Sequence, residues 1–383
     1  MIAPLTRQQI CELTSRKLRE AAPNLHGIRA TLGLDGFVDE IIAVVDKRHD
    51  HGRADHVRTI EHLARKMGAA AGQSSNYELI VKHMKLGGNG PIMGNALAYL
   101  GVAVTYIGNC GFPNIHPVFA DFASRARVIS VAEPAHTDAL EFEDGKLMLG
   151  KLSPLDEVNW DNLLSRVGRD RLKELLDGSQ LIGMLNWTML PHMSRIWARL
   201  LDEIIPNHER HTRKLFVDLA DPEKRTHDDI LDALKLLTRF QDQVDVILGL
   251  NLKESCEITD VLGMPGCGNP EAAIEESAVA IREKLNLACV VIHPRRGAAA
   301  ATSDGRSARF AGPFVREPKI STGAGDHFNA GFCLGRALGF ALEESLCAGV
   351  GTSGYYVRNA ASPTATQLAD FIADLPEPQP AAA

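Results

Sequence analysis

Ile320-Ser321-Thr322-Gly323-Ala324-Gly325-Asp326-His327-Phe328-Asn329-Ala330-Gly331-Phe332 carries more information than any other stretch of this chain. Two glycines precede a carboxylate, and Ala330, Leu334, Ala337, Leu338 and Ala341 then recur at roughly helical spacing. Glycines let backbone N–H groups approach an anion, and a helix N-terminus adds the positive end of its dipole at the same place. Fixed N–H donors of this kind stabilise charge developing on a transferring phosphoryl group. An aspartate at the mouth of the loop is placed to take a proton from an attacking hydroxyl. By composition alone the same run is also a strand-to-helix turn capped by Asp326.

The 383 residues can bury a full core, and 45% hydrophobic with 23% charged residues is ordinary for a globular protein. A net charge of −7 without a long basic run gives no footprint for nucleic acid or an anionic membrane. No apolar run approaches the ~20 residues of a membrane helix, and the charged N-terminus has no signal-peptide core. Seven scattered cysteines, none in a CxxC pair, read as free thiols and argue against a zinc site.

From residue 160 onward helix and strand alternate. Helices over about 160–177, 191–205, 227–241 and 270–285 lead to strands Leu181–Leu185, Lys214–Asp218, Val244–Gly249 and Ala288–His293. This is the rhythm of a parallel sheet with helices on both faces. Upstream, residues 5–22 read as an amphipathic helix, and 46–80 as a helix over about 57–67 followed by a loop. In Ile28–Val45 a β-rich run reaches Gly33 and breaks across Asp35 and Asp39. Acids at the C-terminal end of a first strand sit where open α/β sheets bind ligands, although turn acids look the same. Gly87-Gly88-Asn89 opens a helix that Gly101 ends, before a strand over Val102–Ile107. Asp144-Gly145 joins two β-like runs as a hairpin. Asp218–Arg225 and Asn251-Leu252-Lys253-Glu254 each follow a strand, and the second is equally a helix-capping pattern.

The loop Thr322–Asp326 with Ala330-Gly331-Phe332, the spacing from Gly87-Gly88 to Gly101 and Gly111, and Asn251-x-x-Glu254, in this order, resemble the ribokinase-like sugar kinases, the PfkB family. The resemblance covers roughly residues 28–370. It implies a three-layer α/β/α sandwich, with a mostly parallel central sheet and a small β lid over the sugar. The chain is then one domain over 1–383, with lid segments at about 36–50 and 134–152 and a disordered tail over 376–383.

It further implies a kinase that transfers the terminal phosphoryl group of ATP to a hydroxyl of a sugar or related polyol. Asp326 would be the base, and the N–H groups of Gly323, Ala324 and Gly325 the anion hole. Asp35, Asp39, Gly87, Gly88 and Asn89 would hold the substrate. Thr322, Asn251, His293, Gly297 and Gly351 would meet the nucleotide, and Asn251 and Glu254 would organise Mg²⁺. A homodimer through the lid is compatible with the family. Three positions depart from its pattern: Ile320 for the usual Asp, Ile92 for the usual Asn, and His293 for a Thr. The Gly33/Asp35/Asp39 spacing, Gly88–Met93 and His293 lean instead toward the ADP-dependent branch. A nucleoside kinase and a catalytically silent sugar- or nucleotide-binding regulator are the other readings.

Overall fold

The computed structural model describes residues 5–205, 213–266 and 268–380. In chain order the strands are β1 (Arg29–Leu34), β2 (Phe37–Arg48), β3 (Ala54–His56), β4 (Leu79–Gly87), β5 (Ala103–Gly108), β6 (Arg127–Ser130) and β7 (Ala135–Phe142). They continue as β8 (Gly145–Lys151), β9 (Leu181–Leu185), β10 (Lys214–Asp218), β11 (Asp245–Leu250), β12 (Cys289–Ile292), β13 (Gly297–Thr302) and β14 (Ser307–Ala311). Nine of them form one sheet in the order β14-β13-β12-β11-β10-β9-β1-β5-β6. It is parallel from β12 to β6, and β13 and β14 run antiparallel at one edge.

Short apolar runs make these strands because both faces of the sheet are covered. Alternate side chains enter different cores. Ile182 and Met184 join one cluster with Trp197, Leu237 and Ile281, whereas Leu181 and Leu185 join another with Leu97, Phe332 and Leu346. The two clusters lie under helices on opposite faces, which gives the α/β/α sandwich. The helix pattern over 160–177 is interrupted at Gly168, whose φ of 87° ends Trp160–Val167 and starts Arg169–Asp177. Helix Ala324–Ala337 and helix Leu342–Asn359 approach closely at glycine: a Cβ on Gly331 would lie 2.5 Å from the Ala348 carbonyl oxygen.

The lid is a second sheet, β3-β2-β7-β8, with β4 also on β2. It leaves the main sheet immediately after β1, through Gly36. Ile42, Val44, Val57, Leu63 and Leu140 form its own small core beneath helix Ile60–Ala69. The sequence pattern over 46–80 predicts only a helix and a loop; β3 and β4 are additional. In β4, charged residues interrupt the apolar ones and most side chains stay at least partly exposed, so little hydrophobic pattern marks the strand.

Residues 376–380 lie along the body, unlike the disordered tail expected over 376–383. Arg7 donates to the carbonyls of Leu375 and Pro376, and Gln379 N–H donates to the Phe314 carbonyl. Residues 381–383 fall outside the described residues, as does Cys267. The remaining cysteines are free thiols. Among the described residues no helix is long and apolar enough to cross a membrane.

Filling the helix contact at Gly331 should be costly. Gly331→Val is expected to lower stability by about 1–3 kcal/mol through overpacking. Urea unfolding would show a lower midpoint; an unchanged midpoint would contradict the close approach.

Candidate active site

Polar residues stand at the C-terminal ends of six parallel strands: Asp35 after β1, Asn109 after β5, Asn186 after β9, Asp218 closing β10, Asn251 after β11 and His293 after β12. The chain turns to opposite sides of β1 to reach β5 and β9, so this edge holds the crevice expected of an open α/β sheet. Asn186 adopts a left-handed conformation, with φ 60°.

Two helix N-termini meet at this edge. Asn89 begins helix Asn89–Leu100, and its side-chain amide donates to Asp326 Oδ1 at 3.0 Å, in the first turn of helix Ala324–Ala337. Next to it, Gly90 N–H donates to Asp35 Oδ1 at 2.9 Å, and Asn186 Nδ2 donates to Asp35 Oδ2 at 2.9 Å. Tyr106 hydroxyl lies 3.3 Å from Asp35 Oδ1 and 2.5 Å from the Asp35 carbonyl oxygen. Burial pushes the Asp35 carboxyl up to about 6, against the pull of these donors. Both of its oxygens are thus engaged by protein groups. This differs from the expected grip on substrate hydroxyls: Asp35 supports the start of the helix that carries Asn89.

Asp39 is placed differently. It lies on β2 between Lys85 of β4 and Thr137 of β7. Burial raises its pKa, while Lys85 and a Thr137 hydrogen bond oppose the rise. Gly87 and Gly88 make room for the two acids. A Cβ on Gly87 would come 2.5 Å from Asp39 Oδ1, and one on Gly88 would come 2.7 Å from Asp35 Oδ2.

On the other side of Asp326, Gly323 takes φ 87° and starts the helix. Ala324 N–H already donates to the Ser321 carbonyl at 3.1 Å. Among the described residues the N–H groups of Gly323 and Gly325 have no such partner, so the expected three-donor anion hole reduces to these two. Asp326 is buried, and burial pushes it up to about 8; Asn89 opposes this, and Asp35 and Glu254 add to it. Asp218 is also raised well above the carboxylate range, by burial and by the charges of Glu254 and Asp326. It accepts from Ala220 N–H and Asn329 Nδ2, each at 2.9 Å.

Asn251 and Glu254 form a reciprocal capping box at helix Leu252–Val261. Glu254 also accepts from Asp221 N–H at 3.0 Å, which ties down a loop where Ala220 and Asp221 take φ 60° and 58°. Such conformations cost of order 1–3 kcal/mol each and persist where the surroundings hold them.

Asn251, Glu254, Asp218, Asn89 and Asp326 all line one cleft of about 640 Å³. His293, Gly297, Gly323, Ala324 and Gly325 line it too, together with Phe314 and Ser353. The His293 ring lies 4.6 Å from the Phe328 ring, tilted by 31°, and burial pushes it down to about 4, so it is neutral. Gly351, expected at the nucleotide, is not there. On helix Leu342–Asn359 the cleft face is Val350, Ser353, Gly354 and Val357, whereas a Cβ on Gly351 would meet Ile372 at 2.7 Å. Thr322 does not line the cleft either; its carbonyl accepts from Tyr356 hydroxyl at 3.0 Å.

Asn186 and Tyr106 complete the site beyond the motifs singled out from sequence, with Asp218 and Asn329, which lie in those motifs but receive no role from the sequence. Asn186 follows and Asp218 ends a predicted strand, which is the signal that finds them; Tyr106 and Asn329 lie inside elements and carry none. Among the described residues no three His, Cys, Asp or Glu side chains converge tightly enough to bind a metal directly. The repulsion that Glu254 and Asp326 exert on Asp218, and Glu254 on Asp326, nevertheless fits a cation held through its own water, as magnesium commonly is.

A family model for prokaryotic ketohexokinase matches residues 9–375. A ketohexokinase of Haloferax volcanii is 29% identical over 356 residues, which span 92% of this chain and 93% of that protein. Among solved structures, Arabidopsis thaliana ribokinase complexed with ribose and ATP superposes with a TM-score of 0.61 at 14% identity, over 90% of this chain and 98% of that one. Thermotoga maritima ribokinase gives 0.59 at 14% identity, over 91% and 99%. Sinorhizobium meliloti adenosine kinase gives 0.59 at 17%, over 90% and 97%. At such identities these structures establish the fold, which is ribokinase-like.

The raised Asp326 makes a stability prediction. Folded, it holds its proton up to about pH 8; unfolded, it loses it near the ordinary 3.8. The unfolded chain binds fewer protons between those values, so stability falls as pH rises through that window. Asp326→Asn removes this loss. Its melting temperature should match the parent's near pH 4 and exceed it increasingly toward pH 8. A difference that stays constant with pH would contradict the assignment.

Proposed function

This chain belongs to the prokaryotic ketohexokinase family, and from that premise we propose that it transfers the terminal phosphoryl group of ATP to a hydroxyl of a ketohexose. It is a carbohydrate kinase of the ribokinase type, a phosphotransferase with an alcohol acceptor, which sets aside the silent regulator. The observation that carries the finer reading is the Asn89–Asp326 hydrogen bond. It places the candidate base at the seam between the start of the lid-side helix and the start of the phosphate-side helix.

In this reading Asp326 takes the proton of the attacking hydroxyl. A carboxyl pushed up to about 8 binds a proton more tightly than an ordinary carboxylate, and with a cation beside it, it would release its own proton before the transfer. Asn89 fixes which oxygen faces the substrate. The N–H groups of Gly323 and Gly325 lie at the positive end of the helix dipole and meet the negative oxygens of the group in transfer. Asp39, from the lid, accepts hydrogen bonds from sugar hydroxyls; a carboxylate acceptor makes such bonds stronger than neutral ones do. Asp35 acts one step back, by holding Gly90 and Asn186.

Asn251, Glu254 and Asp218 would hold Mg²⁺ through water; the ion neutralises phosphate charge when bound. His293, Gly297 and the Phe314 loop line the space for the nucleotide. ATP is preferred over ADP as donor because the Thr322–Asp326 loop, the nucleotide-side element, carries the ATP-dependent signature. Lid closure over the sugar would exclude water from the transfer.

A panel of ketohexoses, aldohexoses, pentoses and nucleosides, assayed separately with ATP and with ADP, tests the reading. Preferred turnover of a ketohexose with ATP is expected; turnover only of a nucleoside, or only with ADP, would overturn it. Asp326→Asn should lose on the order of 10²–10⁴ in turnover and retain nucleotide binding, and near-parental turnover would exclude it as base. Asp39→Ala should weaken sugar binding with little effect on nucleotide. Calorimetry showing unchanged sugar affinity would remove Asp39 from the sugar site.

A further inference from the structure

The phosphate loop is held by side chains that neither enter the cleft nor belong to the base. Gly323 sits between two peptide planes, and each has its carbonyl tied back. The Thr322 carbonyl accepts from Tyr356 hydroxyl at 3.0 Å, and the Gly323 carbonyl lies 2.7 Å from His327 Nδ1. His327 also stacks on Tyr356, with ring centroids 3.6 Å apart and planes 14° apart. On its far side, His327 Nε2 lies 2.8 Å from Ser362 hydroxyl. His327 is only 2% exposed.

These contacts determine the imidazole's tautomer. A carbonyl oxygen can only accept, so Nδ1 carries the proton and donates it to Gly323. Nε2 then has a lone pair and accepts from Ser362 hydroxyl. Burial favours the neutral ring and holds its pKa near 4, in keeping with this arrangement.

The arrangement answers a need specific to this loop. Glycine at φ 87° has wide conformational freedom, so nothing intrinsic to Gly323 keeps its N–H aimed at the cleft. In a trans peptide the N–H points opposite to the carbonyl. Tying back the Thr322 carbonyl therefore turns the Gly323 N–H outward. Tying back the Gly323 carbonyl fixes the plane that carries the Ala324 N–H, which donates to Ser321, and so sets how helix Ala324–Ala337 begins.

We propose that His327 is a positioning residue that, with Tyr356 and Ser362, locks the two peptide planes around Gly323, so that the Gly323 N–H stays aimed at the phosphoryl group in transfer and the helix that carries the base starts from a fixed plane. This rests on the kinase reading of the same site. The contribution is to the transition state, where charge on the transferred group is greatest, so it acts on turnover more than on substrate binding.

His327→Phe keeps a ring to stack on Tyr356 and the backbone N–H that donates to the Gly323 carbonyl at 3.1 Å, but it loses the ring N–H that makes the second, shorter bond. His327→Asn keeps an N–H donor at a similar distance from the backbone. Kinetics with the preferred sugar and nucleotide, together with thermal melts, test the pair. His327→Phe should lose about 10²–10³-fold in kcat, the scale of one misplaced oxyanion donor, with both KM values within about threefold of the parent. His327→Asn should recover at least tenfold of that loss. If His327→Phe keeps kcat within threefold of the parent, or loses through KM instead, the ring serves only packing or binding and the proposal fails. The proposal fails equally if His327→Asn folds as stably as His327→Phe and is no faster. Asp326→Asn in the same assay reports on the kinase reading separately: if it alone is inactive, the reading stands while the clamp is lost.

Discussion

Carboxylates buried together at one edge of one sheet are the constraint around which this molecule is built. Asp35, Asp218, Glu254 and Asp326 are all buried, and burial raises the pKa of each. A buried acid is tolerable only with donors or counter-charge. Donors come from nearly every element that reaches this edge: Gly90 N–H and Asn89 from one helix, Asn186 from the end of β9, Asn329 from another helix, and the N–H groups of Ala220, Asp221 and Asn251 from two loops. The fold brings these donors together, and the donors hold the acids in position.

The site nevertheless gathers more acids than these donors can keep ionised. Glu254 and Asp326 raise Asp218, Asp35 and Glu254 raise Asp326, and the donors around them are mostly neutral amides. Such a cluster gains from the arrival of positive charge, which is the physical reason that a magnesium–nucleotide pair suits it. The cost in the free protein is a stability lower than the same fold would have with amides there, the usual exchange between stability and activity.

Much of this was legible in the sequence where the signal is local. Strands Leu181–Leu185 and Lys214–Asp218 and helix His227–Gln241 appear as predicted, because short apolar runs and amphipathic periods mark them. The glycine loop and its aspartate, read from sequence as the start of a helix at a cleft, do stand there, although Ala324 spends its N–H on Ser321. What was not legible depends on pairing between distant residues. Nothing local shows that Asn89 meets Asp326, 237 positions away, or that Asp35 is closed off by Tyr106 and Asn186. Gly351 was misplaced by one helical step, since the cleft face of its helix is set by packing against Ile372. β4 was hidden because a half-exposed lid strand tolerates charge on most of its length.

The departures from the family pattern gain meaning in the structure. Ile92 packs toward Gly323, where a Cβ would lie 3.2 Å from its side chain, and His293 becomes a neutral ring between Gly325 and Phe328. Both changes leave the junction of Asn89, Asp326 and the glycine loop intact, and the central claim is that phosphoryl transfer happens at that junction. A crystal structure with a ketohexose and a non-hydrolysable ATP analogue tests it most directly. The account predicts a sugar hydroxyl about 2.6–3.2 Å from an Asp326 oxygen, with the terminal phosphate against the Gly323 and Gly325 N–H groups. A sugar bound with its hydroxyls directed away from Asp326, or a terminal phosphate held outside that glycine loop, would contradict it.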